Sequence, residues 1–243
     1  MRLFGLIGYP LSHSFSKRYF TEKFEKEKLT DCRYELFPIS SIDELKNVLY
    51  RHPDLCGLNV TIPHKEQVIS FLDEVDDVVE NILACNCISI KNGKLKGFNT
   101  DVVGFERSLK AQLKPHHKKA LILGTGGAAK AVEFVLQKLR IDFKYVSRKP
   151  IENGYSYDEL TADIIAEHTL IINTTPIGMY PAIDEAPAIP YEAISGNHYL
   201  FDLVYNPEKT LFLQKGEERG ATIKNGYEML VIQADESWMI WNQ

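Results

Sequence analysis

The stretch Ala120-Leu121-Ile122-Leu123-Gly124-Thr125-Gly126-Gly127-Ala128-Ala129 decides the fold. Four apolar residues of strand length run into a glycine-rich turn, and a helical pattern over residues 128–139 follows at once. A glycine permits the tight turn, and missing Cβ atoms let a pyrophosphate approach the backbone. The helix N-terminus then supplies free N–H groups and a favourable dipole. Glycines also make purely structural turns; the strand–turn–helix setting favours a dinucleotide site at Gly124, Gly126, Gly127 and Ala128.

Outward from that stretch, further strands are expected at 143–146, 170–173 and 199–203, a doubly wound nucleotide-binding pattern. A site for NAD places an acidic residue at the end of the second strand, against the ribose 2′-hydroxyl. Here that strand ends in Ser147-Arg148-Lys149, and two cations with a hydroxyl suit a 2′-phosphate instead. The expected cofactor is therefore NADP. Upstream, a helix at 102–112 ends before Pro115. Still earlier, strands at 3–7, 34–37, 55–60, 85–90 and 94–98 alternate with helical patterns at 16–27, 42–50 and 65–70. Asn92-Gly93 reads as the turn of a hairpin over 88–98. A last helix over 227–241 has enough apolar surface to dock on something. The chain thus reads as α/β with two lobes and a cleft between them. The first lobe is 1–101; the second is a Rossmann-like doubly wound lobe, 102–225.

Composition narrows the function. The 243 residues are 44% hydrophobic and 25% charged, and the net charge of −5 comes from interspersed signs. A general nucleic-acid surface needs a basic patch, so none is expected. No stretch approaches the roughly 18 consecutive apolar residues of a membrane span. The apolar N-terminal run is too short for a signal segment and is broken by glycine. Cys32, Cys56, Cys85 and Cys87 fit neither paired zinc knuckles nor a disulfide framework, so reduced thiols in a cytoplasmic protein are expected. The seven histidines are scattered, and the adjacent His116-His117 cannot easily ligate one ion, so no metal is expected.

Three further motifs hold candidate chemistry. Asn59-Val60-Thr61-Ile62-Pro63-His64-Lys65 lies where a strand gives way to a helix, the edge where open α/β sheets bind ligands. Lys65 there can exchange a proton or, charged, orient a hydroxyl, although a lone lysine at a helix start is usually just solvated. Asn99-Thr100-Asp101 follows the hairpin. An aspartate beside a lysine can hold a hydroxyl and manage its proton, but Thr and Asp also cap helices. Ser12-His13-Ser14-Phe15-Ser16 is either an N-cap cluster or a set of hydroxyls reading a carboxylate.

Taken together and in order, these motifs resemble one family. Pro10 to Ser16, Asn59 to Lys65, Asn86, Asn99 to Asp101, Gly124 to Ala128, Asn173-Thr174-Thr175-Pro176-Ile177-Gly178-Met179, Asp202-Leu203-Val204-Tyr205-Asn206-Pro207 and Met229 to Gln233 follow the succession seen in shikimate dehydrogenases. The resemblance spans nearly the whole chain. It implies NADPH-dependent, reversible reduction of 3-dehydroshikimate to shikimate, on the route to chorismate and the aromatic amino acids. It further implies that Ser14 and Ser16 bind the substrate carboxylate, and that Thr61, Lys65, Asn86, Asp101 and Gln233 bind its ring hydroxyls. Tyr205 would close the pocket, and the C-terminal helix, 226–243, would pack back on the first lobe. Lys65, paired with Asp101, would handle the proton. Residues 173–179 and Leu203 would line the nicotinamide side, with Gly226 nearby. The implied enzyme is a monomer or homodimer whose partners are its small-molecule substrates.

Some positions depart from the family pattern. Lys17 stands where proline is usual, Ala84-Cys85-Asn86-Cys87 keeps the asparagine of Ala-Val-Asn-Thr but loses the threonine, and Glu228 replaces a glycine before Met229. A carboxylate at that last position is expected to bear on cofactor fit. Two other readings stay open: a relative that uses quinate or an aminated shikimate analogue, and a catalytically silent binding module on the same fold. Retention of both Lys65 and Asp101 speaks against the second.

Overall fold

The computed structural model describes residues 1–11 and 14–243; Ser12 and His13 of the serine cluster lie outside the described residues. The chain forms two compact units, Met1–Val103 with Val231–Gln243, and Gly104–Leu230.

The first unit holds β1 (Arg2–Gly8), α1 (Phe15–Lys26), β2 (Cys32–Pro38), α2 (Leu45–Arg51), β3 (Leu55–Val60), β4 (Glu74–Val75), α3 (Asp77–Ile82), β5 (Cys87–Lys91) and β6 (Lys94–Phe98). The following helix, α4 (Thr100–Lys110), contains the boundary to the second unit. Sheet order is β2-β1-β3-β5-β6-β4. The strands run parallel except β5, which is antiparallel to both neighbours because it shares a two-residue hairpin with β6. Asn92 and Gly93 both have positive φ, 52° and 76°, as the twist-matched hairpin turn requires. Where a helix was expected at 65–70, a 3₁₀ turn at Gln67–Phe71 forms instead. The β-branched pair Val68-Ile69 disfavours regular α-helix in so short a segment. The strand expected from residue 85 begins at Cys87, because Cys85 donates its N–H to the Lys65 carbonyl rather than to the ladder.

Alternation along β1 divides the core of this unit. Leu3 and Ile7 face a cluster with Ile39, Leu45, Leu58, Val79 and Ile88. Phe4 and Leu6 face another with Phe20, Phe24, Tyr34 and Trp241. Trp241 stacks on Phe4 at 4.9 Å between centroids and donates its indole N–H to the Ile88 carbonyl at 3.0 Å. Gly57 makes room for that ring, since a Cβ there would lie 2.3 Å from the indole nitrogen.

The second unit holds β7 (Lys119–Leu123), α5 (Gly127–Lys138), β8 (Asp142–Ser147), β9 (Gly154–Ser156), α6 (Ala162–Glu167), β10 (Leu170–Asn173), β11 (Tyr199–Asp202), α7 (Leu211–Glu218) and β12 (Thr222–Lys224). The last helix, α8 (Tyr227–Trp241), starts here and ends in the first unit. All six strands are parallel, in the order β12-β11-β10-β7-β8-β9. The chain builds outward from β7 to β9, then restarts on the other side at β10. Connections therefore leave β7 and β10 in opposite directions, which makes their carboxyl ends the switch point of the sheet.

Replacing Gly57 by alanine sets two effects against each other. Alanine is the better strand residue by roughly 0.5–1 kcal/mol, while overpacking against the indole costs about 1–3 kcal/mol. A net loss of stability is expected for Gly57→Ala in urea unfolding. Both tryptophans, Trp238 and Trp241, lie in this unit, so their fluorescence reads it directly. Unchanged or higher stability would refute the packing argument.

Candidate active site

In the first unit, β3 ends at Val60 and the chain turns through Thr61, whose N–H donates to the Ile7 carbonyl at 3.0 Å. Lys65 follows, its backbone pinned by the Cys85 N–H at 2.8 Å. Its Nζ donates to Asp101 Oδ2 at 2.7 Å, and the two side chains keep 23% and 16% exposure. The pair is thus sheltered yet reachable. Asp101 sits in the first turn of α4, where the helix dipole favours a carboxylate. Asn99, rather than Thr100 or Asp101, caps that helix through the Val102 N–H.

Thr100 is freed for another task. Its backbone N–H donates to Asn86 Oδ1 at 2.7 Å, and its hydroxyl accepts from Asn86 Nδ2 at 3.0 Å. The same hydroxyl lies 3.3 Å from Gln233 Oε1. Behind it, Tyr34 donates to Asn59, Asn59 to Ser237, and Ser237 to the Gln233 carbonyl, all within 2.9 Å. Burial pushes the Tyr34 phenol well above its usual range, with Ser16 beside it acting the other way. Ser14 caps α1, accepting the Lys17 N–H at 3.3 Å. One buried network thereby connects Tyr34, Asn86 and Gln233, with Ser16 beside its Tyr34 end, and the Lys65–Asp101 pair adjoins it through the Thr100-Asp101 peptide. Asn59, Thr100 and Ser237 were not expected among the site residues. Ser237 lies four residues after Gln233, hence on the same helix face, and that spacing was available in the sequence.

Cys85 and Cys87, which flank Asn86, are fully buried, and burial pushes the Cys85 thiol up to about 12. They behave as small apolar side chains that wedge the asparagine backbone in place.

In the second unit, Gly124 has φ +105°, and a Cβ there would meet Thr175 Cγ2 at 2.8 Å and Thr174 Oγ1 at 2.9 Å. Only glycine suits both the conformation and the space. Gly126 and Gly127 differ: nothing lies within 4 Å of an added Cβ at either. Gly126 also gives α5 no side-chain cap. Bare backbone, uncapped helix N–H groups at Gly127 and Ala128, and open ground above them form a cradle suited to a pyrophosphate. Beside it, the Gly124 N–H donates to the Val146 carbonyl at 2.8 Å, so the end of β8 adjoins the glycine turn. Ser147 there folds its hydroxyl onto the Lys149 backbone, leaving Arg148 and Lys149 exposed. These residues fit a dinucleotide with an additional phosphate. The Leu203 N–H donates to the Asn173 carbonyl at 2.9 Å, and Gly226 approaches so closely that a Cβ would lie 2.2 Å from the Leu203 oxygen. Tyr205 follows on the same loop, half-buried.

The substrate-binding domain model of shikimate dehydrogenases matches residues 6–88. The chain is 37% identical to a shikimate dehydrogenase (NADP(+)) of Methanococcus maripaludis, across 99% of this chain and 91% of that one. It is 35% identical to one of Methanosphaera stadtmanae, across 98% and 90%. The chain belongs to the shikimate dehydrogenase family. Its backbone superposes on that of shikimate 5-dehydrogenase from Thermus thermophilus, solved with NADP(H) and shikimate, with TM-score 0.87 and 29% identity over 99% of this chain and 93% of the other.

Against that family pattern, Glu228 is the departure with the plainest local account. Its carboxylate accepts the Ser108 hydroxyl at 2.9 Å and pairs with Lys224 at the end of β12. The Lys224 contact holds it below the usual carboxylate range. The extra charge is therefore met within the second unit by one cation and one hydroxyl.

If the exposed end of β8 receives the 2′-phosphate, Arg148→Ala will weaken NADPH binding at least about tenfold, the scale of a charge-assisted contact, and leave NADH nearly unaffected. Fluorescence titration with each cofactor measures this. Equal losses would put the phosphate elsewhere.

Proposed function

We propose that this chain interconverts 3-dehydroshikimate and shikimate with NADP(H), through Lys65 and Asp101. The 2.7 Å contact between Lys65 Nζ and Asp101 Oδ2 at the carboxyl end of β3 is the observation on which the reading rests. When bound, NADPH supplies the hydride that turns the ketone carbon into a secondary alcohol carbon. The chain's residues manage everything else. As hydride arrives, negative charge gathers on the ketone oxygen. The Lys65 ammonium stabilises it and passes a proton to it, which a point charge on a flexible stem does well. Asp101 holds the ammonium in place, and the proton Lys65 gives up returns from solvent.

Substrate selection follows from the same network. The Asn86 and Gln233 amides, positioned by Thr100, bond ring hydroxyls together with Thr61, Lys65 and Asp101. Ser14 and Ser16 bond the carboxylate at the first turn of α1, and Tyr205 covers the ligand. Buried polar groups that expect hydroxyls are left unpaired by an analogue lacking them, so such a site discriminates strongly. On the cofactor side, Gly124, Gly126, Gly127 and Ala128 receive the pyrophosphate, and Ser147, Arg148 and Lys149 the 2′-phosphate. Residues 173–179, Leu203 and Gly226 bound the nicotinamide. The enzyme works in the cytoplasm as a monomer or homodimer. No helix among the described residues is long and apolar enough to cross a membrane.

The test is absorbance at 340 nm with shikimate or quinate, each with NADP+ or NAD+. Reduction with shikimate and NADP+ alone supports the reading. Activity with quinate or NAD+ would make the enzyme a broader relative, and silence in all four mixtures would refute the reading. Lys65→Ala is expected to lower kcat about 100-fold or more, the scale for acid–base groups; turnover near the native rate would remove Lys65 from the mechanism.

A further inference from the structure

Asp202, the last residue of β11, is fully buried and has no cation partner among the described residues. An unpaired buried carboxylate costs several kcal/mol unless hydrogen bonds replace its water. Three neutral donors do so here, each from a different place in the second unit. Asn173 Nδ2, at the end of β10, donates to Oδ1 at 3.0 Å. The Val204 N–H, in the loop after β11, donates to the same oxygen at 3.0 Å. The Thr210 hydroxyl, the N-cap of α7, donates to Oδ2 at 2.6 Å. The contacts then extend. Asn173 Oδ1 accepts both the Thr175 N–H at 3.0 Å and the Thr175 hydroxyl at 2.6 Å, and Thr175 is the residue that abuts Gly124.

We propose that Asp202 is a positioning residue for cofactor binding: its carboxylate fixes the loop after β10 and the loop after β11 in one register. Through Asn173 and Thr175 it also sets the wall of the glycine turn. It touches neither substrate nor cofactor. The inference rests on the dehydrogenase reading above, which makes these loops the nicotinamide side.

Asn173 Nδ2 and the Val204 N–H can only donate, and all three bonds are strongest to an ionised carboxylate; once it is protonated, the Thr210 contact survives only if that hydroxyl reverses, and the other two lose their charge assistance. Protonation replaces one acceptor with a donor that faces Thr210 or Asn173, and the register loosens. Burial pushes this carboxyl up to about 6, which brings the change within reach of ordinary buffers. The titratable group that faces it is the phenol of Tyr191, raised above its usual range first by burial and then by Asp202, and hence neutral between pH 5 and 8. Lys215 of α7 lies over that ring, 4.7 Å from its centroid. The sign for stability runs opposite to the sign for binding. A carboxyl raised in the folded chain favours folding while protonated; that contribution is complete below about pH 4 and is lost as pH rises through about 6. Weaker binding at low pH therefore does not arise from Asp202 unfolding the protein.

The experiment is fluorescence titration of the whole protein and of Asp202→Asn with NADPH at pH 7.5 and 5.5. The ligand's own 2′-phosphate titrates in this range, and the ratio of variant to native Kd cancels it. The expected ratio is about 10 at pH 7.5, the scale of one charge-assisted hydrogen bond, falling to about 3 at pH 5.5, where roughly three-quarters of the native carboxyl is itself protonated. The KM for shikimate at saturating NADP+ should move less than about twofold. A ratio near unity at pH 7.5, or one equal at both pH values, overturns the proposal. If Asp202→Asn does not fold, Thr175→Val cuts the same relay further out. NADPH binding weakened several-fold then supports the proposal, and native binding opposes it. Failure of the native protein to bind NADPH at all would instead sink the dehydrogenase reading, so the two failures are told apart.

Discussion

Parallel strands can be joined only by crossovers that return the chain to the same starting edge. Every loop that leaves a strand's carboxyl end therefore gathers along one edge of its sheet, and this constraint organises both units. In the second, the glycine turn after β7 and the Thr174-Thr175 turn after β10 meet because the strand order reverses between them. In the first, Lys65 leaves β3 and Asp101 leaves β6, and the reversed β5 between those strands lets both end at the same edge. The hairpin at Asn92-Gly93, at the other end of β5 and β6 from the site, is what allows the lysine and the aspartate to touch.

Each unit solves the problem of a polar interior differently. The first spreads it over neutral amides and hydroxyls, from Tyr34 through Asn59 and Ser237 to Thr100 and Asn86, with each donor matched to an acceptor. The Lys65–Asp101 pair that adjoins this network is charged, and it keeps some access to water. The second unit concentrates the demand on one carboxylate, Asp202, surrounded by neutral donors. A satisfied neutral network specifies geometry independently of pH, whereas a buried carboxylate makes geometry conditional on its charge.

What the sequence disclosed follows the range of the interaction involved. Local patterns were plain: the glycine turn, the Asn92-Gly93 hairpin, and α8 over Tyr227–Trp241. The short elements β4, β9, β12, α3, α6 and α7 escaped, since two to eight residues hold too little periodicity to separate from loop. Among candidate site residues, Lys65 and Asp101 were singled out by the family resemblance of their ordered motifs, since each charge taken alone reads equally as a solvated or helix-capping residue. Thr100, Ser237 and Asp202 were not, because what they do depends on partners made adjacent only by the fold; Thr100 and Ser237 are 137 positions apart. Glu228 illustrates the converse. Its departure was visible in the sequence, but its neutralisation by Lys224 and Ser108 was not.

Gly126 and Gly127 sit under empty ground that no atom of the chain fills. Gly127, in the first turn of α5, gives up at most about 0.5–1 kcal/mol of conformational free energy relative to alanine, with no packing in return from the protein itself. The return comes only with a ligand, whose binding stabilises the folded chain by RT ln(1 + [L]/Kd). The unit is thus left slightly weaker alone than its architecture requires, and its resistance to heat and proteolysis rises with cofactor concentration. In a cell, the lifetime of such a protein becomes a gauge of the nucleotide pool around it.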